Sequence, residues 1–241
     1  MTNASLYRVL AFTDTPDGGN PAGVWVGDAL PDPATMQQIA TEVGYSETAF
    51  IAPAQGHTRM VRYFSPEAEV PFCGHATIAS GVVLGNAGGA GIYHLETQVG
   101  TVPVEVTIRD GRYEAALTSV EPTHMAATEP LIREALTKLG WQELDLDPAI
   151  PPVRAYAGAW HLVLAVNSLE RLNHLDYDFA ALKELMLRDG LTTLQLVWRE
   201  RADLFHARNP FPVGGVIEDP ATGAAAAALG GYLRAAGLIT A

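Results

Sequence analysis

Three residues have side chains that could move a proton. Glu47 precedes the apolar run 48–51, at the expected start of a strand. Apolar surroundings disfavour the ionised form of a carboxyl group, which suits it to proton transfer near neutral pH. His75 and Asp219 each stand close to the start of an alanine-rich apolar stretch. Each of the three also fits a structural role, as a strand-edge carboxylate, a core or capping histidine, or an N-cap before a proline.

The two apolar stretches predict helices that follow the glycine- and proline-rich loops 65–74 and 209–219. About four N–H groups at a helix N-terminus lack intrahelical partners, and the helix dipole adds about half a positive charge there. Gly74 and Gly223 would let a ligand approach the backbone closely. Two such ends facing one cleft would bind a small anion. The alternative, that these glycines serve only turns and packing, stays open.

Other motifs indicate no metal, cofactor or serine nucleophile. The seven histidines form no H-x-x-x-H pair and Cys73 is the single cysteine, so no metal site is predicted. The glycine-rich segment 85–91 follows a helix and precedes a strand, the reverse of a dinucleotide-binding loop, and predicts a helix end. The segment 44–48 lacks the last glycine of a nucleophile elbow, so Ser46 is not predicted to be a nucleophile.

Alternating and β-branched runs, together with helical spacing of apolar residues, predict an α+β protein. The order of elements does not alternate strand and helix strictly, which argues against a doubly wound parallel sheet. Strands are predicted at 6–12, 23–26, 48–52, 58–64, 91–96, 99–108, 112–117, 153–156, 161–166, 193–198 and 202–207. Helices are predicted at 34–43, 75–84, 129–139, 179–188 and 221–236.

An internal repeat predicts two similar lobes. A shift of 145 residues aligns 76–85 with 221–230, with alanine, threonine, leucine and glycine shared. Both segments are apolar on nearly every face, which indicates a helix surrounded by sheet. We therefore predict an N-terminal lobe of residues 1–112 and a C-terminal lobe of residues 113–241.

Charge and hydropathy restrict the partners. Fifteen basic and 27 acidic residues give a net charge of −12, which disfavours nucleic acid and anionic membrane surfaces. No run reaches the ~18–20 apolar residues of a membrane span. The single cysteine and a start without a signal peptide favour the cytoplasm.

Four sequence blocks in order resemble the phenazine-biosynthesis isomerase family, the PhzF-like proteins. The blocks are Phe12-Thr13 with Gly19-Asn20-Pro21-Ala22; Ser46-Glu47-Thr48-Ala49-Phe50; Arg62-Tyr63-Phe64-Ser65-Pro66 through Val70-Pro71-Phe72-Cys73-Gly74-His75-Ala76-Thr77; and Glu218-Asp219-Pro220-Ala221-Thr222-Gly223. The resemblance implies the diaminopimelate-epimerase fold: two pseudo-symmetric lobes, each a mostly antiparallel barrel-like sheet around a central helix. It also implies a cofactor-free isomerisation in a biosynthetic process, with a small carboxylic acid as substrate.

The same resemblance implies roles for individual residues. Glu47 would carry the proton, and His75 and Asp219 would assist it or orient the substrate. The substrate would be bound by Asn20, Ser46, Gly74, Ala76, Thr222, Gly223 and Ala224. Related racemases use two thiols, and here Cys73 occupies one of those places and Pro220 the other. The two-thiol inversion is therefore excluded, and Cys73 fits the role of a small buried residue.

Two departures from the family pattern keep an alternative open. Ala224 stands where family members typically carry a serine, so the native substrate can differ. The C-terminal lobe is expected to be short of the strands that relatives use to complete it, and unpaired strand edges favour a homodimer. The alternative function is a non-catalytic protein that binds small anions with the same fold.

Overall fold

The computed structural model describes residues 4–15 and 17–240, and the chain divides into two compact units, residues 1–118 and 119–241. Each unit contains one sheet and one alanine- or glycine-rich helix packed on it. Within the described residues no helix has the length and apolar character needed to span a bilayer.

The first unit contains an eight-stranded sheet. Its main path is β1-β2-β3-β4-β6-β7-β8, and β5 pairs with β4. The β2–β3 and β4–β6 pairs are parallel and the others are antiparallel. The elements are β1 Ala4–Ala11, β2 Asn20–Gly27, α1 Pro33–Val43, β3 Glu47–Pro53, β4 Thr58–Phe64, β5 Glu69–Val70, α2 Gly74–Gly88, β6 Gly91–Thr97, β7 Gly100–Arg109 and β8 Arg112–Leu117. The predicted lobe boundary between 112 and 113 falls within β8 and stays a prediction.

Helix α2 is the centre of this unit. It contacts β1, β2 and β3 on one side of the path and β7 and β8 on the other, so the sheet curls around it. Its apolar residues show almost no amphipathic pattern, as expected for a helix buried on most of its faces. Strand β3 is buried on both sides: Ala49 and Ile51 join the α2 core, whereas Phe50 joins the α1 core.

Helix α2 ends inside the glycine-rich segment 85–91, as predicted, but four residues later than the predicted last residue, 84. The sequence predicts a helix over 75–84 that stops at Gly85-Asn86, whereas α2 continues to Gly88 and its C-cap is Gly89, with φ 90°. Gly85 packs against β7 and β8, where a Cβ would lie 2.6 Å from Val106 Cγ1. The glycine therefore serves close helix–sheet packing, which the sequence pattern did not distinguish from a helix end.

The second unit contains a six-stranded sheet in the order β14-β13-β12-β11-β10-β9, in which only β11–β12 is parallel among the described strands. The elements are β9 Thr123–Ala126, α3 Glu129–Leu139, β10 Val153–Tyr156, β11 Trp160–Val166, α4 Leu169–Asn173, α5 Phe179–Arg188, β12 Thr193–Arg201, β13 Leu204–Pro210, β14 Glu218–Asp219 and α6 Gly223–Ala235. Short 3-10 turns lie at Glu143–Asp145 and Pro212–Gly214.

Helices cover both faces of this sheet. Leu162, Leu164 and Leu196 face a core shared with α3 and α5, and Val163 and Val197 face a core shared with α6. This alternation follows from the two-residue period of a strand. The predicted strand near 202–207 begins instead at Leu204, because Ala202 and Asp203 form the turn after β12.

The two central helices are related by an offset different from the predicted one. At the predicted offset of 145 residues, Ala221 and Thr222 would correspond to residues of α2, but they precede α6. An offset of 149 residues carries Gly74 onto Gly223 and places every buried residue of α6 on a buried residue of α2. The predicted offset rests mainly on alanine identities, and it is four residues, about one helical turn, from the offset that matches the buried positions of the two helices.

A matched pair of glycines gives opposite expected changes in stability. A Cβ at Gly81 of α2 would lie 2.7 Å from Ala115 Cβ and 2.7 Å from Val104 Cγ1, whereas a Cβ at Gly230 of α6 would meet no atom within 4 Å. We expect Gly81→Ala to lower the free energy of unfolding by ~1–3 kcal/mol through overpacking. Gly230→Ala should raise it by ~0.5–1 kcal/mol through helix propensity. Urea unfolding measures both, and equal shifts in the two variants would contradict the packing of α2.

Acid should destabilise the second unit through His161. Its Nδ1 lies 2.8 Å from Thr193 Oγ1, its Nε2 has no hydrogen-bond partner among the described residues, and burial lowers its pKa to about 4. An unfolded histidine titrates near 6.5, so below that pH the unfolded chain binds a proton that the folded chain excludes. We expect the free energy of unfolding to fall by about 1.4 kcal/mol per pH unit between these values. His161→Gln should remove that part of the slope in urea titrations at pH 7, 6 and 5; an unchanged slope would contradict the prediction.

Candidate functional site

Parallel pairing of β2 and β3 brings two predicted site residues to one edge of the first sheet. Asn20 is the first residue of β2, and Glu47 is the first residue of β3. Glu47 lies opposite Ala22, which is two residues after Asn20 in β2. Gly19 leads into β2 with φ 74°, and a Cβ there would lie 2.2 Å from the Ala11 carbonyl oxygen. Only glycine fits this turn, which delivers the buried Asn20 to the sheet edge.

The N-terminus of α2 contributes the next group. The helix starts at Gly74, so His75 and Ala76 lie in its first turn. Cys73 is the N-cap residue but its side chain makes no capping hydrogen bond. The thiol is instead directed to His75, with Sγ 3.2 Å from Nδ1.

His75 links the strand edge to the helix. Its Nε2 lies 3.6 Å from Glu47 Oε2 and 3.4 Å from Ser46 Oγ, and its Nδ1 faces Cys73. Glu47, Cys73 and His75 expose only 6%, 7% and 3% of their surface. A carboxylate, a hydroxyl and a thiol therefore surround one imidazole in a nearly dry environment, where polar interactions are stronger than in water.

Neighbouring side chains fix the start of α2. The Thr77 hydroxyl donates to the Cys73 carbonyl oxygen at 2.6 Å, and Tyr63 Oη lies 2.7 Å from Thr77 Oγ1. Burial raises the pKa of the Tyr63 hydroxyl, which keeps this group protonated. These contacts hold the backbone that carries Cys73 and His75 against β4.

The second unit gathers the remaining predicted residues at the N-terminus of α6. Asp219 is 4% exposed and pairs with Asn209 across β13 and β14. Helix α6 begins at Gly223, with Ala224 in its first turn and Thr222 as its N-cap residue. The Thr222 hydroxyl donates to Asp219 Oδ2 and makes no capping hydrogen bond to the helix. Asp219 is therefore not the N-cap of α6, the structural role that the sequence left open for it.

Each unit thus forms its own group of predicted residues. In the first unit Glu47, Ser46 and His75 are in contact, with Gly74 and Ala76 beside His75 in the same helix turn. In the second unit Asp219 and Thr222 are hydrogen bonded. Sequence reasoning missed the contact that Cys73 makes with His75. The Cys-x-His spacing at a helix start was the available signal.

The sequence matches the family described as phenazine biosynthesis-like proteins, PhzC-PhzF, over residues 9–241. The chain belongs to this family. The trans-2,3-dihydro-3-hydroxyanthranilate isomerase of Pseudomonas fluorescens is 33% identical over 234 residues, covering 95% of this chain and 79% of the relative. The uncharacterized isomerase YfhB of Bacillus subtilis is 31% identical over 242 residues, covering 97% of this chain and 82% of the relative.

Solved structures confirm the predicted fold class of this phenazine biosynthesis-like protein. The Bacillus anthracis phenazine biosynthesis protein of the PhzF family has a TM-score of 0.81 at 25% identity, covering 97% of this chain and 80% of that chain. A hydroxyproline epimerase from Agrobacterium vitis has a TM-score of 0.66 at 14% identity, covering 98% and 78%, and shows likeness of fold alone. Together with its relatives, the fold identifies the protein as an isomerase of the PhzF family.

Proposed function

We propose that Glu47 is the general acid/base that moves a proton on a small carboxylic-acid substrate, without a metal or organic cofactor. The observation that carries this proposal is the placement of Glu47 at the start of β3, buried and 3.6 Å from His75 Nε2. A buried carboxylate beside an imidazole has the means both to accept a proton and to return it.

The reaction needs only one such group. The Glu47 carboxylate takes a proton from a substrate carbon, so that a C–H bond breaks and an O–H bond forms. The electron pair left behind is delocalised in the substrate. The proton on this carboxyl group exchanges with solvent, and the group then returns a proton, or a deuteron in D₂O, to another carbon on the same face. This step restores the carboxylate and completes an isomerisation with no net loss of atoms. Positioned acid/base help of this kind contributes ~10²–10⁴ in rate.

His75 and Ser46 orient the carboxyl group of Glu47 in this scheme. His75 Nε2 lies within reach of both Glu47 Oε2 and Ser46 Oγ. Asp219 is proposed to assist the transfer or to orient the substrate, held in place by the Thr222 hydroxyl. Asn20, a buried amide at the start of β2, is proposed to bind a polar group of the substrate.

Backbone N–H groups are proposed to bind the substrate carboxylate. Cys73 and Thr222 both precede a helix without capping it, so the first turns at Gly74, Ala76, Gly223 and Ala224 keep donors for an anion. The positive end of each helix dipole favours a negative charge at the first turn of its own helix. The high negative charge of the whole chain is screened over ~8–10 Å and does not prevent this local binding.

The substrate class is tested by deuterium incorporation. Trans-2,3-dihydro-3-hydroxyanthranilate, for which the Pseudomonas fluorescens relative is named, and a panel of small cyclic and amino-acid carboxylates are incubated with the protein in D₂O. NMR should detect deuterium at carbon in at least one compound. Binding of a carboxylate without any exchange at carbon would favour a non-catalytic anion-binding protein.

We further propose a cytoplasmic homodimer. Among the described residues, the short β14 pairs only with Asn209 and Pro210, which leaves residues 204–208 of β13 at a sheet edge. Strand β9, at the opposite edge, is exposed along its length. Unpaired strand edges favour association with a second chain. Light scattering at micromolar concentration should give the mass of a dimer, and a monomer throughout would contradict this proposal.

A further inference from the structure

The cluster that holds Glu47 also contains three kinds of metal ligand. One ligand atom each from Glu47, Cys73 and His75 lies within 4.8 Å of the other two, and all three residues are buried. Residues 47 and 73 are far apart in sequence, so no spacing motif predicts this set. The chain has a single cysteine, which makes the thiolate the distinctive donor of the cluster.

The donor set suits a borderline-soft divalent cation. Zinc is bound in proteins by thiolate sulfur, imidazole nitrogen and carboxylate oxygen, and three protein ligands leave one position for water. A tetrahedral zinc site separates its sulfur and nitrogen ligands by about 3.5 Å, as follows from Zn–S and Zn–N lengths of about 2.3 and 2.0 Å. Cys73 Sγ lies 3.2 Å from His75 Nδ1, whereas Glu47 Oε2 lies 3.6 Å from the other ring nitrogen, Nε2. Binding of one ion by all three residues therefore requires the imidazole or the carboxylate to reorient by a rotamer change.

Electrostatics permit a cation at this helix end. The dipole of α2 places about half a positive charge near Gly74. A Cys73 thiolate and a Glu47 carboxylate supply two negative charges within the cluster, which outweigh the dipole.

We propose that Glu47, Cys73 and His75 bind one Zn²⁺ or Cd²⁺ ion, and that this ion inhibits the isomerase. Binding releases the Cys73 thiol proton to solvent and joins the metal to sulfur, nitrogen and oxygen. A Glu47 oxygen bound to metal no longer accepts a proton from carbon. The inhibitory part rests on the proposed function of Glu47, whereas the binding part does not.

Cadmium titration tests the binding part without any substrate. Metal-free protein is titrated with CdCl₂, and the ultraviolet thiolate-to-metal charge-transfer band is followed together with calorimetry. One equivalent should bind and the band should saturate with it. The band can arise only from Cys73, because no other cysteine is present. Absence of the band at stoichiometric Cd²⁺ would overturn the proposal.

Variants identify the ligands. Cys73→Ser should abolish the charge-transfer band. His75→Gln should keep a band but weaken Cd²⁺ binding by at least ~100-fold. That loss exceeds the ~10–100-fold expected for a residue that only hydrogen-bonds a metal ligand. His94→Gln, an exposed histidine of β6, is the matched control and should bind as the wild type does. Equal weakening by His94→Gln, or wild-type affinity in His75→Gln, would overturn the assignment. Circular dichroism establishes folding, and Cys73→Ala replaces any serine variant that fails to fold.

Inhibition is measured separately by deuterium exchange. Stoichiometric ZnCl₂ should suppress exchange at carbon, and a chelator should restore it. Cd²⁺ binding with undiminished exchange would refute inhibition by the metal. Absent exchange in a carboxylate that binds the metal-free protein, together with normal Cd²⁺ binding, would instead contradict the catalytic role of Glu47, so the two failures are distinguishable.

Discussion

Glu47→Gln is expected to lower kcat for isomerisation by ~10²–10⁴ while leaving the fold intact. The amide has the size and shape of the carboxylate but cannot accept a proton from carbon. Glu47 is buried at the start of β3 beside His75, and glutamine fills the same space, so the substitution should not open a cavity in the core. The rate is measured by NMR as deuterium incorporation at carbon in D₂O.

A control variant at an exposed glutamate distinguishes loss of proton transfer from a general effect of removing one negative charge. Glu96 lies exposed on β6, and Glu96→Gln changes the net charge by the same amount. This variant should retain wild-type kcat. A Glu47→Gln protein with normal circular dichroism and wild-type exchange would exclude Glu47 as the group that carries the proton.

Phe50→Ala is expected to lower the free energy of unfolding by ~3–5 kcal/mol, the usual cost of removing a buried phenylalanine. Phe50 is fully buried between β3 and α1, with its ring centroid 5.6 Å from Phe64 edge-on and 6.0 Å from Trp25. Met36 and Ala40 of α1 complete this cluster. A cavity here would loosen the strand that carries Glu47 three residues earlier.

Urea unfolding with a surface control measures this effect. Ile92 on β6 is 54% exposed, and Ile92→Ala should change stability by no more than ~0.5 kcal/mol. A loss of less than 1 kcal/mol in Phe50→Ala would mean that α1 does not anchor β3. Gly81→Ala perturbs the α2 core where α2 packs on β7 and β8, so comparison of the two variants separates the α1 core from the α2 core.

Local sequence patterns predicted the elements whose periodicity is strong. Helix α3 and strand β4 start and end where alternation and helical spacing place them, and β3 extends the predicted strand 48–52 by one residue at each end. Short exposed elements such as β9 and α4 were not predicted, because four or five residues with little burial give no periodic signal. The last residue of α2 was predicted four residues too early because a packing glycine and a terminating glycine have the same one-residue signature.

The site was partly predictable for a different reason. The blocks around Glu47, His75 and Asp219 resemble a family, so the residue types could be chosen from the sequence. Their contacts could not, since the 3.6 Å approach of His75 to Glu47 depends on how β3 pairs with β2 and where α2 begins. The Cys73–His75 contact depends on the helix start as well, because Cys73 reaches His75 from the extended N-cap position directly before the first turn of α2.

A crystal structure of Glu47→Gln soaked with the compound that exchanges deuterium would place the reacting carbon relative to residue 47. The proposed chemistry predicts that this carbon lies about 3–3.5 Å from the side-chain oxygen or nitrogen of residue 47, the distance of a near-attack geometry. A substrate bound with its exchanging carbon outside van der Waals contact of residue 47 would contradict the assignment of Glu47 as the proton carrier.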